Sequence, residues 1–151
     1  MAKNWHLTVD CTDSARLVEF WCAAMGYVPE PAPLGWSSWL DYWLSAGIPE
    51  EELEGAENGS GAIVDPEGAL PRIWFQEVPE SKTVKNRLHI DVRHTPGRDE
   101  MPYAARRESL EAEVERLLAL GATVATVKAP EGADYFAVTL MDPEGNEFCI
   151  S

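Results

Sequence analysis

His6 and His89 fall in two short stretches of alternating polarity, Trp5-His6-Leu7-Thr8-Val9-Asp10 and Leu88-His89-Ile90-Asp91-Val92, each on the polar side of its stretch. Gln76 and Cys149 come late in two further strand-like stretches, Arg72-Ile73-Trp74-Phe75-Gln76 and Glu147-Phe148-Cys149-Ile150. Imidazole nitrogen, amide oxygen and thiolate sulfur form a donor set that suits zinc better than magnesium, because thiolate is a soft ligand. If a pseudo-twofold axis relates the two halves, all four side chains line one concavity. Asp91 shares the His89 face and can orient an imidazole or touch a ligand. Glu147 shares the parity of Cys149 but lies roughly 6.5 Å away along the strand. No residue is marked by its spacing as the proton-transfer base, so the catalytic residue is unassigned.

The elements that must position these groups repeat in order. In the first strand Trp5, Leu7 and Val9 face the core. Thr12 or Asp13 caps a helix whose apolar stripe is Ala15, Val18, Trp21, Cys22 and Met25, and Gly26 ends it. After the second histidine strand, the Pro96-Gly97 linker leads to a longer helix from Tyr103 to Leu120. Leu110, Val114, Leu117 and Leu118 face its core, and Gly121 stops it. Each half then carries a tight turn, Asp65-Pro66-Glu67-Gly68 and Asp142-Pro143-Glu144-Gly145, followed by a strand. The histidines at 6 and 89 are 83 residues apart and the turns at 65 and 142 are 77 apart, so the halves differ by insertions and deletions within a duplicated plan. In the second half, 122–127 and 135–140 read as antiparallel neighbours. Each half approximates β-α-β-β-β.

Between the first helix and the first turn, Trp36, Trp39, Tyr42, Trp43 and Leu44 suggest a short amphipathic helix covering the sheet edge or an aromatic pocket wall. The acidic run Pro49-Glu50-Glu51-Glu52-Leu53-Glu54 follows it. Lys82, Lys85 and Arg87 form a local basic cluster, either a rim for a ligand's carboxylate or phosphate or a balance to nearby acids.

Charge excludes several partners. Across 151 residues, 12 Lys and Arg against 26 Asp and Glu give a net charge of −14. Binding to nucleic acid or to an anionic membrane is therefore not expected. The chain is 45% hydrophobic, enough for a continuous core. Cys11, Cys22 and Cys149 contain no CxxC pair, so neither a disulfide framework nor a structural zinc knuckle is expected, and a reducing cytoplasm fits. The first residues lack the apolar run of a signal peptide, and no stretch reaches about 18 apolar residues. A soluble, intracellular protein is expected.

The ordered set of Trp5-His6-Leu7-Thr8-Val9-Asp10, Phe20-Trp21-Cys22-Ala23-Ala24-Met25-Gly26, Phe75-Gln76-Glu77-Val78-Pro79, Asn86-Arg87-Leu88-His89-Ile90-Asp91 and Asp142-Pro143-Glu144-Gly145-Asn146-Glu147-Phe148-Cys149 resembles the vicinal oxygen chelate superfamily. The likeness is greatest to its glyoxalase-like, bleomycin-resistance-type domains. The resemblance implies an α+β fold: one domain over 1–151, with pseudo-symmetric βαβββ modules at 1–80 and 86–151 whose curved sheets surround a central cavity. It implies one divalent metal held by His6, Gln76, His89 and Cys149, zinc if Cys149 coordinates, or no metal at all. Cys149 stands where the family usually has Glu, which removes a hard oxygen ligand and the most obvious base. Substrate contacts are expected from His6, Trp74, Gln76, His89, Asp91 and Cys149. The implied function is a lyase or isomerase acting on a small oxygen-containing metabolite, with the metal polarising a carbonyl or enediolate oxygen. The alternatives are a non-catalytic small-molecule or antibiotic-binding protein, using Trp36, Trp39, Trp43 and Trp74, and a structural or regulatory protein-binding domain. A homodimer is consistent with the resemblance.

Overall fold

A computed structural model of the chain describes residues 3–55 and 59–151. The chain divides into two compact units, Met1–Ser81 and Lys82–Ser151. The first runs β1 (Leu7–Cys11), α1 (Ser14–Met25), β2 (Val28–Pro29), α2 (Trp39–Ser45), a 3₁₀ turn (Glu50–Glu52), β3 (Ala62–Val64) and β4 (Ile73–Glu77). The second runs β5 (Ile90–Val92), α3 (Tyr103–Ala119), β6 (Thr123–Lys128), β7 (Ala137–Met141) and β8 (Glu147–Ile150). The sheets have the same plan, β1-β4-β3-β2 and β5-β8-β7-β6. In each, the first strand pairs in parallel with the last and the other pairs are antiparallel. Two βαβββ modules are thus present, the first enlarged by α2 and the 3₁₀ turn.

Local chemistry explains the boundaries. Asp13 caps α1 by accepting from the Arg16 amide at 3.0 Å. Glu77 at the end of β4 adds a second carboxylate there, taking the Ser14 amide at 3.0 Å and its hydroxyl at 2.8 Å. Both negative groups complement the positive end of the helix. The buried face of α1 is Leu17, Phe20 and Trp21, not the expected stripe of Ala15, Val18, Cys22 and Met25 around Trp21. This helix is apolar almost all round, and the bulkiest side chains take the inner face because they remove the most surface from water. In α3, Leu110 and Leu117 are buried as expected, but Val114 is half-buried and Leu118 is 38% exposed. Trp5, expected in the core, is 64% exposed and precedes the strand.

The two turns form as their sequences predict, with Gly68 and Gly145 donating to the carbonyls of Asp65 and Asp142, each at 2.9 Å. Positive φ at both glycines lets the chain reverse without a Cβ clash. The Asp65 carboxylate accepts from the amides of Glu67, Ala69 and Leu70. The Asp142 carboxylate accepts from the amides of Glu144 and Asn146 and from the Asn146 side chain, and Asp142 is almost fully buried.

Sheet parity gives each unit one apolar and one polar face. In β8, Phe148 and Ile150 are buried while Glu147 and Cys149 are half-buried. In β4, Ile73 and Phe75 are buried while Trp74 and Gln76 are half-buried. No helix among the described residues is long and apolar enough to cross a membrane.

Candidate functional site

The polar face of the second sheet brings together three of the candidate residues. Asp91 of β5 lies opposite Cys149 of β8, and Cys149 lies opposite Thr139 of β7. His89 directly precedes β5, and its Nε2 is 3.2 Å from an Asp91 carboxylate oxygen. The ligating atoms of His89, Asp91 and Cys149 all lie within 4.8 Å of one another. Behind them, the Thr139 hydroxyl is 3.2 Å from the Cys149 sulfur. Solvent reaches the cluster, since 41% of the His89 side chain and 68% of the Asp91 side chain are exposed.

Glu147, two residues before Cys149, is committed elsewhere. Its carboxylate accepts from the Asn86 amide at 3.0 Å and pairs with Lys82 at 3.2 Å. The Asn86 hydrogen bond, assisted by the Lys82 ammonium, holds its carboxyl below the usual range. Lys82 therefore balances an acid rather than serving as a free rim cation, while the Lys85 ammonium touches the Asn86 carbonyl.

The first sheet presents a different set at corresponding positions. Just as Cys149 lies opposite Asp91, two residues beyond His89, Trp74 lies opposite Thr8, two residues beyond His6. Trp74, not Gln76, therefore occupies the place equivalent to Cys149. Gln76 lies opposite Asp10, four residues beyond His6, a displacement of about 13 Å at the usual rise of an extended chain. The register thus sets Gln76 two residues further along from His6 than Cys149 is from His89. The rest of this face is filled by an ion pair: Arg72 donates to Glu30 through Nε at 2.6 Å and Nη2 at 2.8 Å, with the Ser60 hydroxyl on the same carboxylate at 2.9 Å. The Arg72 hydrogen bonds hold the Glu30 carboxyl below its ordinary range, with His6 adding a small favourable charge interaction.

The aromatic segment forms α2, capped by Ser38. Trp39 packs against Tyr42 and Trp43, Trp36 packs edge-on against Tyr42, and the Trp39 indole donates to the Glu30 carbonyl at 2.8 Å. No residue of α2 is buried, so this is a half-exposed cluster tied to the end of β2.

The cluster at His89 was legible because His89, Asp91 and Cys149 were singled out individually. Thr139 was missed: a threonine in a strand carries no signal until the register sets it beside the sulfur.

A family model described as a glyoxalase-like domain matches residues 6–151. None of the curated proteins compared matches the chain in sequence. Among solved structures, the fosfomycin resistance protein FosX from Mesorhizobium loti is 12% identical with a TM-score of 0.55, covering 99% of this chain and 91% of that one. A glyoxalase/bleomycin resistance protein/dioxygenase family enzyme from Burkholderia phytofirmans PsJN is 19% identical with a TM-score of 0.52, covering 96% and 94%. A variant of FosX from Listeria monocytogenes, solved with Mn(II) and 1S,2S-dihydroxypropylphosphonic acid, is 13% identical with a TM-score of 0.58, covering 99% and 90%. At these identities the likeness is one of fold. With a family match spanning nearly the whole sequence and the βαβββ plan present twice, the chain belongs to the glyoxalase-like domain family of the vicinal oxygen chelate superfamily.

Proposed function

We propose that this chain binds one divalent cation through His89, Asp91 and Cys149 and holds a small oxygen-bearing molecule beside it, acting as a lyase or isomerase. The observation that carries this reading is the convergence of three chemically suitable donors within 4.8 Å on a solvent-accessible sheet face. Tetrahedral zinc with bonds of about 2.0–2.3 Å sets its ligand atoms roughly 3.3–3.8 Å apart, so small side-chain rotations suffice to close the set. The thiol favours zinc over harder ions. The FosX relative solved with Mn(II) shows only that a protein of this fold holds a divalent cation.

Bound zinc would supply Lewis-acid polarisation of a carbonyl or hydroxyl oxygen. The chain's own residues have separate tasks. His89 and Asp91, whose Nε2 and carboxylate oxygen stand 3.2 Å apart, would both turn to the ion, and Thr139 positions the Cys149 sulfur from the neighbouring strand. Glu147, drawn to Asn86 and Lys82, is not the base, and no side chain in the cluster is assigned that role. Three free cysteines suit the reducing cytoplasm this reading assumes.

Non-catalytic ligand binding is the second reading, favoured by Trp74. An aromatic ring stands where the repeat would offer a donor, and it provides apolar contact instead of coordination.

Zinc titration under chelator competition distinguishes the two. The expected result is one equivalent of zinc, with His89→Ala and Cys149→Ala each weakening binding by at least about tenfold, while His6→Ala and Gln76→Ala retain it. Unchanged zinc affinity in both His89→Ala and Cys149→Ala overturns the cation site. Loss with His6→Ala or Gln76→Ala restores the wider donor set expected from the sequence. A wild-type protein that takes up no zinc, yet whose tryptophan fluorescence responds saturably to small ligands and loses that response in Trp74→Phe, supports the binding reading.

A further inference from the structure

A cavity of about 310 Å³ in the second unit, away from the His89 cluster in its lining, concentrates positive charge in a strongly acidic chain. Arg93, Arg98, Arg106 and Arg107 all line it, four of the chain's 12 lysines and arginines, against a single acidic side chain, Asp134. The four arginines differ in how far they are already committed. Arg106 is paired with Asp134 and donates to the Met101 carbonyl at 2.9 Å. Arg107 is paired with Glu111 at 2.9 Å and lies 5.0 Å from the centre of the Phe136 ring. Arg93 and Arg98 have no ion pair or hydrogen bond from their side chains among the described residues.

The backbone around them is fixed. The Ser151 amide donates to Val92, and its carbonyl accepts from His94 and Thr95, which holds the segment that carries Arg93. The Glu100 and Met101 amides both bond the Gly97 carbonyl and close the loop that carries Arg98. Arg106 and Arg107 stand at the start of α3, whose first turn has no acidic residue and whose N-cap, Pro102, offers no side-chain acceptor. The positive end of the 17-residue helix therefore adds to the guanidinium charge. Tyr103, Tyr135 and Phe136 provide aromatic walls. An adjoining hollow of about 430 Å³ shares Tyr103, Arg107 and Asp134 and extends the space beneath the 129–134 loop.

We propose that this cavity is a binding site for a small organic anion, its carboxylate or phosphate held by Arg93 and Arg98 and its ring or apolar body resting among Tyr103, Tyr135 and Phe136. Two guanidinium groups without protein partners supply forked donors matched to an oxyanion. Arg106 and Arg107, already stacked and paired, form the rigid side of the site. At 310 Å³ the cavity is at the small end of ligand pockets, which suits a single-ring compound rather than a nucleotide. The net charge of −14 is largely screened beyond roughly 8 Å at physiological salt, so the local cluster governs binding.

The test uses phenyl phosphate, benzoate and neutral benzyl alcohol as probes, with chelator-treated full-length protein so that the result does not depend on the cation site. Calorimetry should show saturable one-to-one binding of at least one anionic probe, weakened about tenfold by Arg93→Gln or Arg98→Gln and further by the double variant. Lys82→Gln should leave it unchanged. Stronger binding of phenyl phosphate identifies a phosphate ligand, and equal or stronger binding of benzoate identifies a carboxylate. Absence of saturable anion binding up to about 10 mM, equal binding by the double variant, or equal binding of benzyl alcohol overturns the proposal.

Discussion

The two units share one topology and one register, yet their polar faces differ. Across the first sheet the row is Thr8, Trp74 and Ala62; across the second it is Asp91, Cys149 and Thr139. One residue before the first pair of each register stand His6 and Arg72 in the first unit and His89 and Glu147 in the second, so the charged residue at the histidine's level is reversed in sign. A cationic neighbour committed to Glu30 makes the first face a poor cation site, whereas the second gathers nitrogen, oxygen and sulfur. The backbone of this module therefore sets which positions share a face, and a few side chains decide what donors that face offers.

The apolar faces invert size instead of charge. Ile73 and Phe75 flank Trp74, whereas Phe148 and Ile150 flank Cys149. Phe75→Ala and Phe148→Ala are each expected to lower stability by about 3–5 kcal/mol, because both rings are fully buried. Chemical denaturation measures this, and a loss in only one of them would break the symmetry of the two cores.

The paired turns should show a smaller and unequal effect. Asp142 is buried with its carboxylate on two amides and the Asn146 side chain, so Asp142→Ala should cost about 2–3 kcal/mol. Asp65→Ala should cost less, since solvent can replace its carboxylate at the same amides. Equal losses on thermal melting would show that burial is not what separates the turns.

The smallest effect concerns the ion pair that fills the first polar face. Glu30→Gln should destabilise by about 1–2 kcal/mol at neutral pH, the range for a partly screened charged hydrogen bond. The Glu30 carboxyl is depressed in the folded chain, chiefly by Arg72, so its contribution is complete above the unfolded carboxylate range. It fades as pH falls through the lower folded value. A wild-type minus Glu30→Gln stability difference that grew on acidification would contradict that sign.

Much of this architecture was legible in the residues. The strands that follow His6 and His89, the helices ending near Gly26 and Gly121, and both Asp-Pro-Glu-Gly turns form in the expected order, with each histidine just before its strand instead of within it. Alternation puts Gln76 on the same face as Trp74, and only strand pairing shows that Trp74 is the one opposite Thr8. Counting from the turns does not help, since the Asp65 carboxylate also gathers Ala69 and Leu70 and the first turn is longer than its counterpart. Residues 123–128 form the expected strand, but every residue in it is exposed, because it is an edge strand and periodicity does not report edges. The arginine cavity was invisible for a related reason: its lining comes from four separated stretches of sequence, none of them basic enough to stand out alone.

The parallel pairing of the first and last strands in each unit also bears on biosynthesis. A parallel partner cannot be supplied by a hairpin, so β1 waits for residues 73–77 and β5 waits for residues 147–150. On the ribosome the first unit can close its sheet while the second still lacks its central strand. His89 and Asp91 then stay beside an unpaired strand until β8 is made, so the three donors become neighbours only once β5 and β8 pair, and a cation present earlier would meet them singly.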